Sequence, residues 1–216
     1  MDLLNQPILL ITVLFLLSIL PMLIVMGTSF LKIAVVLSLF RNALGIQQIP
    51  PNMAIYSLAL LLTFFIMAPV GMEISDNLKK NPINFSSADF LSVLEKQVIK
   101  PYYEFIEPRT NKDQIHFFGS IGKKIWPKIY HDRISEKSLL VVMPAFAVSQ
   151  LIEAFKIGLL LYLPFIAIDL IVSNILLAMG MMMVSPMTIS LPFKLLIFVL
   201  IGGWEKLLEQ LVLSYA

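Results

Sequence analysis

Asp169 to Lys194 reads DLIVSNILLAMGMMMVSPMTISLPFK, and this stretch decides how the chain is read. It is almost wholly apolar and is closed by a charge at each end. Its middle holds Met179, Gly180, Met181, Met182 and Met183, followed by the turn signal Ser185-Pro186. Methionine is unbranched and polarizable, so it packs against partners of changing shape. Five of the twelve methionines fall between Met179 and Met187, which asks for more than core filling.

Composition sets the class. Apolar residues make up 58% of the 216 and charged residues 14%, and mean hydropathy is +0.87. Soluble domains run at roughly 45–50% and about 25% respectively. The chain therefore reads as an all-α membrane protein. A net charge of +2 does not point to nucleic acid, and the absence of cysteine removes disulfide and thiolate chemistry. Between Glu73 and Lys137 stand eleven Lys/Arg and nine Asp/Glu, against five of each in the remainder. Three parts are expected: residues 1–72 as a hydrophobic helical hairpin, 73–138 as a polar helical insert, and 139–216 as a second hydrophobic pair around the Met-rich turn. The beginning of the chain lacks a basic region and a cleavage site, so it is expected to stay as a membrane segment.

Leu3 to Leu31 carries no charge and exceeds the length of about 20 residues that a span needs. The apolar pattern continues to Leu39. A single helix from Asn5 to Leu44 would be roughly 60 Å long at 1.5 Å per residue. Either Gly27 breaks it or it projects beyond a bilayer, and the break is preferred. Met53 to Met72 is a second uncharged span. In the insert, Ser86-Ser87-Ala88-Asp89 reads as a helix start that Pro101 ends, and Asp113 to Ile125 reads as an amphipathic helix. Pro144 and Pro164 divide the second block into expected helices 139–163 and 165–183. Ser185-Pro186 and Leu191-Pro192 then bracket a turn, and a last helix runs from Pro192 to Tyr215 with a weak point at Gly202-Gly203. Basic residues near span ends favour both short connections in the cytoplasm and both termini and the insert outside.

No HExxH, GxSxG, P-loop or paired membrane carboxylate is present, so catalysis is not expected. His116 and His131 read as ordinary histidines, because no second-ligand spacing supports a metal. No cofactor is implied. Charges within the apolar segments are costly and face protein or water. Glu153 and Lys156 share a helix face and read as a lumen or inter-subunit pair, or as a local pair. Asp169 follows Pro164 closely and reads as a capping or pairing acid. Lys194, at the start of the expected last helix, requires a carboxylate or water. The methionines read either as a packed helix end, which composition alone favours, or as a ring that seals a pore by dewetting.

Several stretches resemble one family. They are FLKIAVVLSLFRNALG (Phe30–Gly45), QQIPPN (Gln47–Asn52), AFKIG (Ala154–Gly158), LPF (Leu163–Phe165), IDL (Ile168–Leu170), LAMGMMMVSP (Leu177–Pro186), SLPFK (Ser190–Lys194) and Gly203-Trp204. Together they resemble the export-gate proteins of type III secretion, called SctR in injectisomes and FliP in flagella, with wording nearer the injectisome branch. The chain departs from the family at Gln150 and Gly202, where Glu and Asp are frequent. The first departure puts in question an ion pair from position 150 to Lys194.

The resemblance implies a subunit present in five copies, built with S-type and T-type subunits into a helical, conical gate in the bacterial inner membrane. Contacts to U- and V-type export proteins and to membrane lipid follow from the same likeness. Unfolded secreted proteins would pass through the centre. The resemblance assigns Met181, Met182 and Met183, with Met179, to a gasket around the closed pore. It also places the assembled gate largely above the membrane plane, whereas hydropathy puts all four apolar segments in lipid. An ion channel or secondary transporter is the rival reading; it predicts internal repeats and clustered membrane charges, and no repeat links the two blocks.

Overall fold

The computed structural model describes residues 7–46, 49–80 and 93–216. It contains eight α-helices and, among the described residues, no strand. The first apolar block forms α1 (Pro7–Gly27), α2 (Phe30–Leu44) and α3 (Asn52–Lys80). A π-helical turn, Glu95–Ile99, runs into α4 (Lys100–Ile106), and α5 (Lys112–Ile125) follows. After a 3-10 turn come α6 (Leu139–Ala178), α7 (Pro186–Leu200) and α8 (Gly203–Leu213).

The long first helix is broken at Gly27, as preferred above. The chain turns by 64° between α1 and α2. The break has a local cause. The Tyr102 hydroxyl donates to the Gly27 carbonyl at 2.7 Å, and a Cβ on Gly27 would sit 2.7 Å from that oxygen. Glycine lets the insert reach the open end of α1 and satisfy a carbonyl that the helix leaves unpaired.

Spatially the organising helix is α2. Ile33, Val36, Leu37, Phe40, Ala43 and Leu44 are buried against α3, α6, α7 and α8. Phe40 lies 4.6 Å from Phe198 and 5.3 Å from Trp204, ring centre to ring centre. A Cβ on Gly158 would fall 2.3 Å from a Leu39 methyl, so α2 and α6 meet at that glycine. A second cluster joins Val70 of α3, Phe105 and Ile106 of α4, Val142 and Phe146 of α6, and Tyr215. The insert helices thus pack on the apolar helices, and α5 runs along α6.

Four boundaries differ from the sequence reading. Pro144 and Pro164 both lie inside the continuous 40-residue α6. Pro101 stands directly after the π-helical turn, inside a continuous helical run, rather than ending a helix. The expected start at Ser86 lies outside the described residues. The turn ends at Ser185: α7 begins at Pro186 and carries Pro192 inside it, so Leu191-Pro192 bounds nothing. The weak point at Gly202-Gly203 is a full break, with Gly202 at φ +65° and a 65° bend into α8.

Among the described residues two helices, α3 and α6, are long and apolar enough to cross a membrane, and up to four spans result if each bent pair counts as one. Only 17% of the most apolar window of each long helix is buried within the chain. Leu61, Phe64 and Phe65 of α3 and Phe155, Leu159 and Leu160 of α6 are exposed. Covering each such side chain is worth about 1.5–3 kcal/mol. Apolar surface on this scale is covered by lipid or by protein. The chain is an all-α membrane protein.

Candidate functional site

The methionine turn is a C-cap in the Schellman arrangement. Gly180 adopts φ +73°, its N–H donates to Leu177 at 3.0 Å, and the Met181 N–H donates to Leu176 at 2.9 Å. This closes α6 and reverses the chain into α7. Nothing lies within 4 Å of a Cβ built on Gly180, so glycine is required there by conformation and not by space. The side chains that follow are open. Met181 is 42% exposed, Met179 61%, Met182 81% and Met183 100%. Packing as a buried helix end, the reading composition favoured, does not occur within the chain.

The turn is braced from below. Lys194 is buried, and its ammonium lies 2.7 Å from Asp169 Oδ2. Ser190 Oγ donates to the other carboxylate oxygen at 2.5 Å. The same ammonium donates to the Ala43 carbonyl in the last turn of α2 at 3.2 Å, a favourable place for a cation. One lysine therefore ties together α6, α7 and α2. The carboxylate that Lys194 required is Asp169. Two expectations are corrected: Lys194 lies in the third turn of α7, not the first turn of a helix, and Asp169 pairs inside α6 rather than near its end.

A second buried cation lies on α2. Lys32 Nζ is 2.7 Å from Glu153 Oε2 and 4.4 Å from the centre of the Tyr215 ring. Tyr215 donates to Gln150 Oε1 at 2.6 Å, and Gln150 Nε2 donates to the Arg109 carbonyl at 3.1 Å. Arg109 in turn donates from Nε to the Tyr215 carbonyl at 3.0 Å and stacks over Phe105. Burial first, then Glu153, raises the Tyr215 phenol above its ordinary value. Burial alone pushes Tyr102 up to about 12. Both hydroxyls stay protonated and donate near neutrality.

Of the expected polar residues, the structure brings Asp169 and Lys194 together. It sends Glu153 across to α2 rather than to Lys156. Lys156 is exposed among Phe155, Leu159 and Leu160, with no ion-pair partner among the described residues. Position 150 does not face Lys194; Gln150 belongs to the Tyr215 node. That node was missed from sequence. The hydrogen bonds that build it join residues 41 to 121 positions apart, and only the apolar setting of Lys32 hinted at it. Of the histidines, His116 faces Glu136 at 3.3 Å on the surface and His131 donates to the Trp126 carbonyl. Among the described residues no group of three His, Asp or Glu could hold a metal.

The helical fold, the two interhelical ion pairs and the exposed apolar turn define an all-α membrane protein with uncovered apolar faces. Residues 13–211 match the FliP family model, and the chain belongs to the FliP family. It is similar to the virulence protein YscR of Salmonella typhimurium, 54% identical over the whole of both chains. It is also similar to the Yop proteins translocation protein R of Yersinia pestis, 54% identical over 95% of each. The harpin secretion protein HrpW of Pseudomonas syringae is 49% identical over 92% of this chain and 96% of its own.

Proposed function

We propose that the chain is the core pore-forming subunit of a type III secretion export apparatus in the bacterial inner membrane. It passes unfolded proteins across that membrane and is a structural component rather than an enzyme. Full-length similarity to proteins named for virulence, translocation and harpin secretion supports the apparatus. One structural observation supports the pore: four methionines stand exposed on a capped turn between two helices that the Lys194–Asp169 ion pair ties together. Side chains of this kind, brought to one level by several copies, form a dry constriction that yields to a passing chain.

In this reading five copies join S-type and T-type subunits, with U- and V-type export proteins alongside. Met181, Met182 and Met183, with Met179, form the gasket. The polar part, residues 73–138, faces the periplasm between the two hydrophobic parts 1–72 and 139–216. The test is replacement of Met181, Met182 and Met183 together by Ala in cells that carry the whole apparatus. The expected result is normal assembly with leakage of small ions across the membrane. A complex that assembles and stays tight removes the gasket.

A further inference from the structure

A cleft outside the turn and the ion pairs has a chemistry of its own. It is bounded by Glu95, Lys96, Ile99, Lys100 and Tyr103 on one side and by Lys137, Ser138 and Leu139 on the other. Its volume is about 540 Å³. Three ammonium groups face one carboxylate among the lining residues. Lys100 makes only a loose contact to Glu104, 3.7 Å between exposed partners. Lys96 and Lys137 have no ion-pair partner among the described residues. Ile99 and Leu139 give the cleft an apolar floor.

Its position matters as much as its lining. Tyr102 and Tyr103 pack on the same buried cluster, around Val70, Phe105 and Val142, as Ile66, Met67 and Ile74 of α3 and Leu139 and Met143 of α6. The twenty uncharged residues of α3 end at Met72, and Glu73 is the first charge. The cleft thus stands beside the level at which the longest uncharged run of α3 meets its polar end. It also stands at the start of α6, the other helix long enough to cross a bilayer. A cationic rim over an apolar floor at that level matches a molecule with an anionic head and a hydrocarbon body. Basic clusters next to a membrane segment attract anionic lipid in this way.

We propose that this cleft is a binding site for the headgroup of an anionic phospholipid. Lys96, Lys100 and Lys137 hold the phosphate, and Ile99 and Leu139 take the first part of the acyl chains. The site lies on the single chain, and its lipid occupant is argued from α3 and α6 standing in the bilayer. It is also independent of the gasket.

The test uses the full chain in a non-ionic detergent, titrated with dioleoyl phosphatidylglycerol or dioleoyl phosphatidylcholine. Bound lipid is counted by native mass spectrometry. The chain is expected to retain phosphatidylglycerol at least tenfold more tightly than phosphatidylcholine. K96Q/K100Q/K137Q loses that preference, and K96R/K100R/K137R keeps it, because charge at those positions is what is required. K112Q/K123Q/K124Q, which removes the same charge from α5, also keeps it. The proposal is overturned if the first variant retains phosphatidylglycerol like the unaltered chain, or if the α5 variant loses it equally. Failure of the arginine variant overturns it too. Displacement of the lipid by an equal concentration of glycerol 1-phosphate would assign the cleft to a soluble phosphate and sink the lipid reading.

Discussion

Lys194 shows what one buried charge does for this protein and what sequence can say about it. A lysine in an apolar stretch must find a carboxylate, and that much follows from desolvation alone. Which carboxylate is a question of distance in space. Asp169, 25 residues earlier, is brought opposite by the Gly180 reversal. The pair is not a large source of net stability, since burying two charges costs nearly what their attraction returns. Breaking it is different. Asp169→Asn leaves a buried ammonium facing a neutral amide, and Asp169 itself is 32% exposed, so the expected loss is about 2 kcal/mol, below the full cost of a wholly buried break. The double variant Asp169→Leu/Lys194→Met should lie closer to the unaltered chain than Asp169→Asn does. Thermal unfolding in detergent measures both, and equal losses would mean that the pair is not coupled. Charge reversal at Lys194 is accordingly expected to damage the fold of the single chain, and not only assembly. The Lys32–Glu153 pair was invisible beforehand for a plain reason: 121 residues separate the partners, and nothing local distinguishes Glu153's choice of Lys32 over Lys156.

At the scale of elements, hydrophobic runs and glycines were legible and prolines were not. The helical class, the second span, the break at Gly27 and the amphipathic α5 follow from uncharged length and period. The boundaries expected at Pro164 and Pro192 failed, whereas Ser185-Pro186 does mark a helix start. Proline removes one hydrogen bond and bends a helix, but in a helix surrounded by apolar matter there is no water to take up freed backbone groups, so the helix continues past it. Pairing between helices was also hidden, because a small residue signals close approach without naming its partner. Gly158 is the case in point, since its partner is Leu39 on α2. Gly158→Val should push α2 from α6 and destabilise the chain by about 1–3 kcal/mol, as overpacking does. Adding Leu39→Ala should recover part of the loss, because it vacates the space the new methyls need. Unfolding midpoints of the two variants decide this; no recovery in the double variant would place the close contact elsewhere.

The described helices leave far more apolar surface uncovered than a soluble monomer does. Exposed faces of α3 and α6 fit lipid as well as protein, so they do not by themselves select association. Lys156 does. It stands on the uncovered face of α6 among Phe155, Leu159 and Leu160, and the described residues offer it no carboxylate. A lysine held against hydrocarbon in midhelix is unfavourable by about 2.5–3.5 kcal/mol on insertion scales. Association relieves this if a neighbouring copy or partner subunit supplies an acid or a wet channel. Among the described residues Lys156 has no ion pair to its own chain, so its substitution separates folding from assembly in a way that Lys194 cannot. Lys156→Glu should leave the unfolding midpoint of the isolated subunit within about 0.5 kcal/mol of the unaltered chain, as surface changes usually do. The same change should reduce recovery of the multi-subunit complex from membranes, since it places a like charge against the acid that the lysine met. Mass measurement of the purified complex reads the outcome. Full-size assembly with the glutamate in place would show that this face looks onto lipid, and the subunit contacts would then have to be made through the methionine turn and α7.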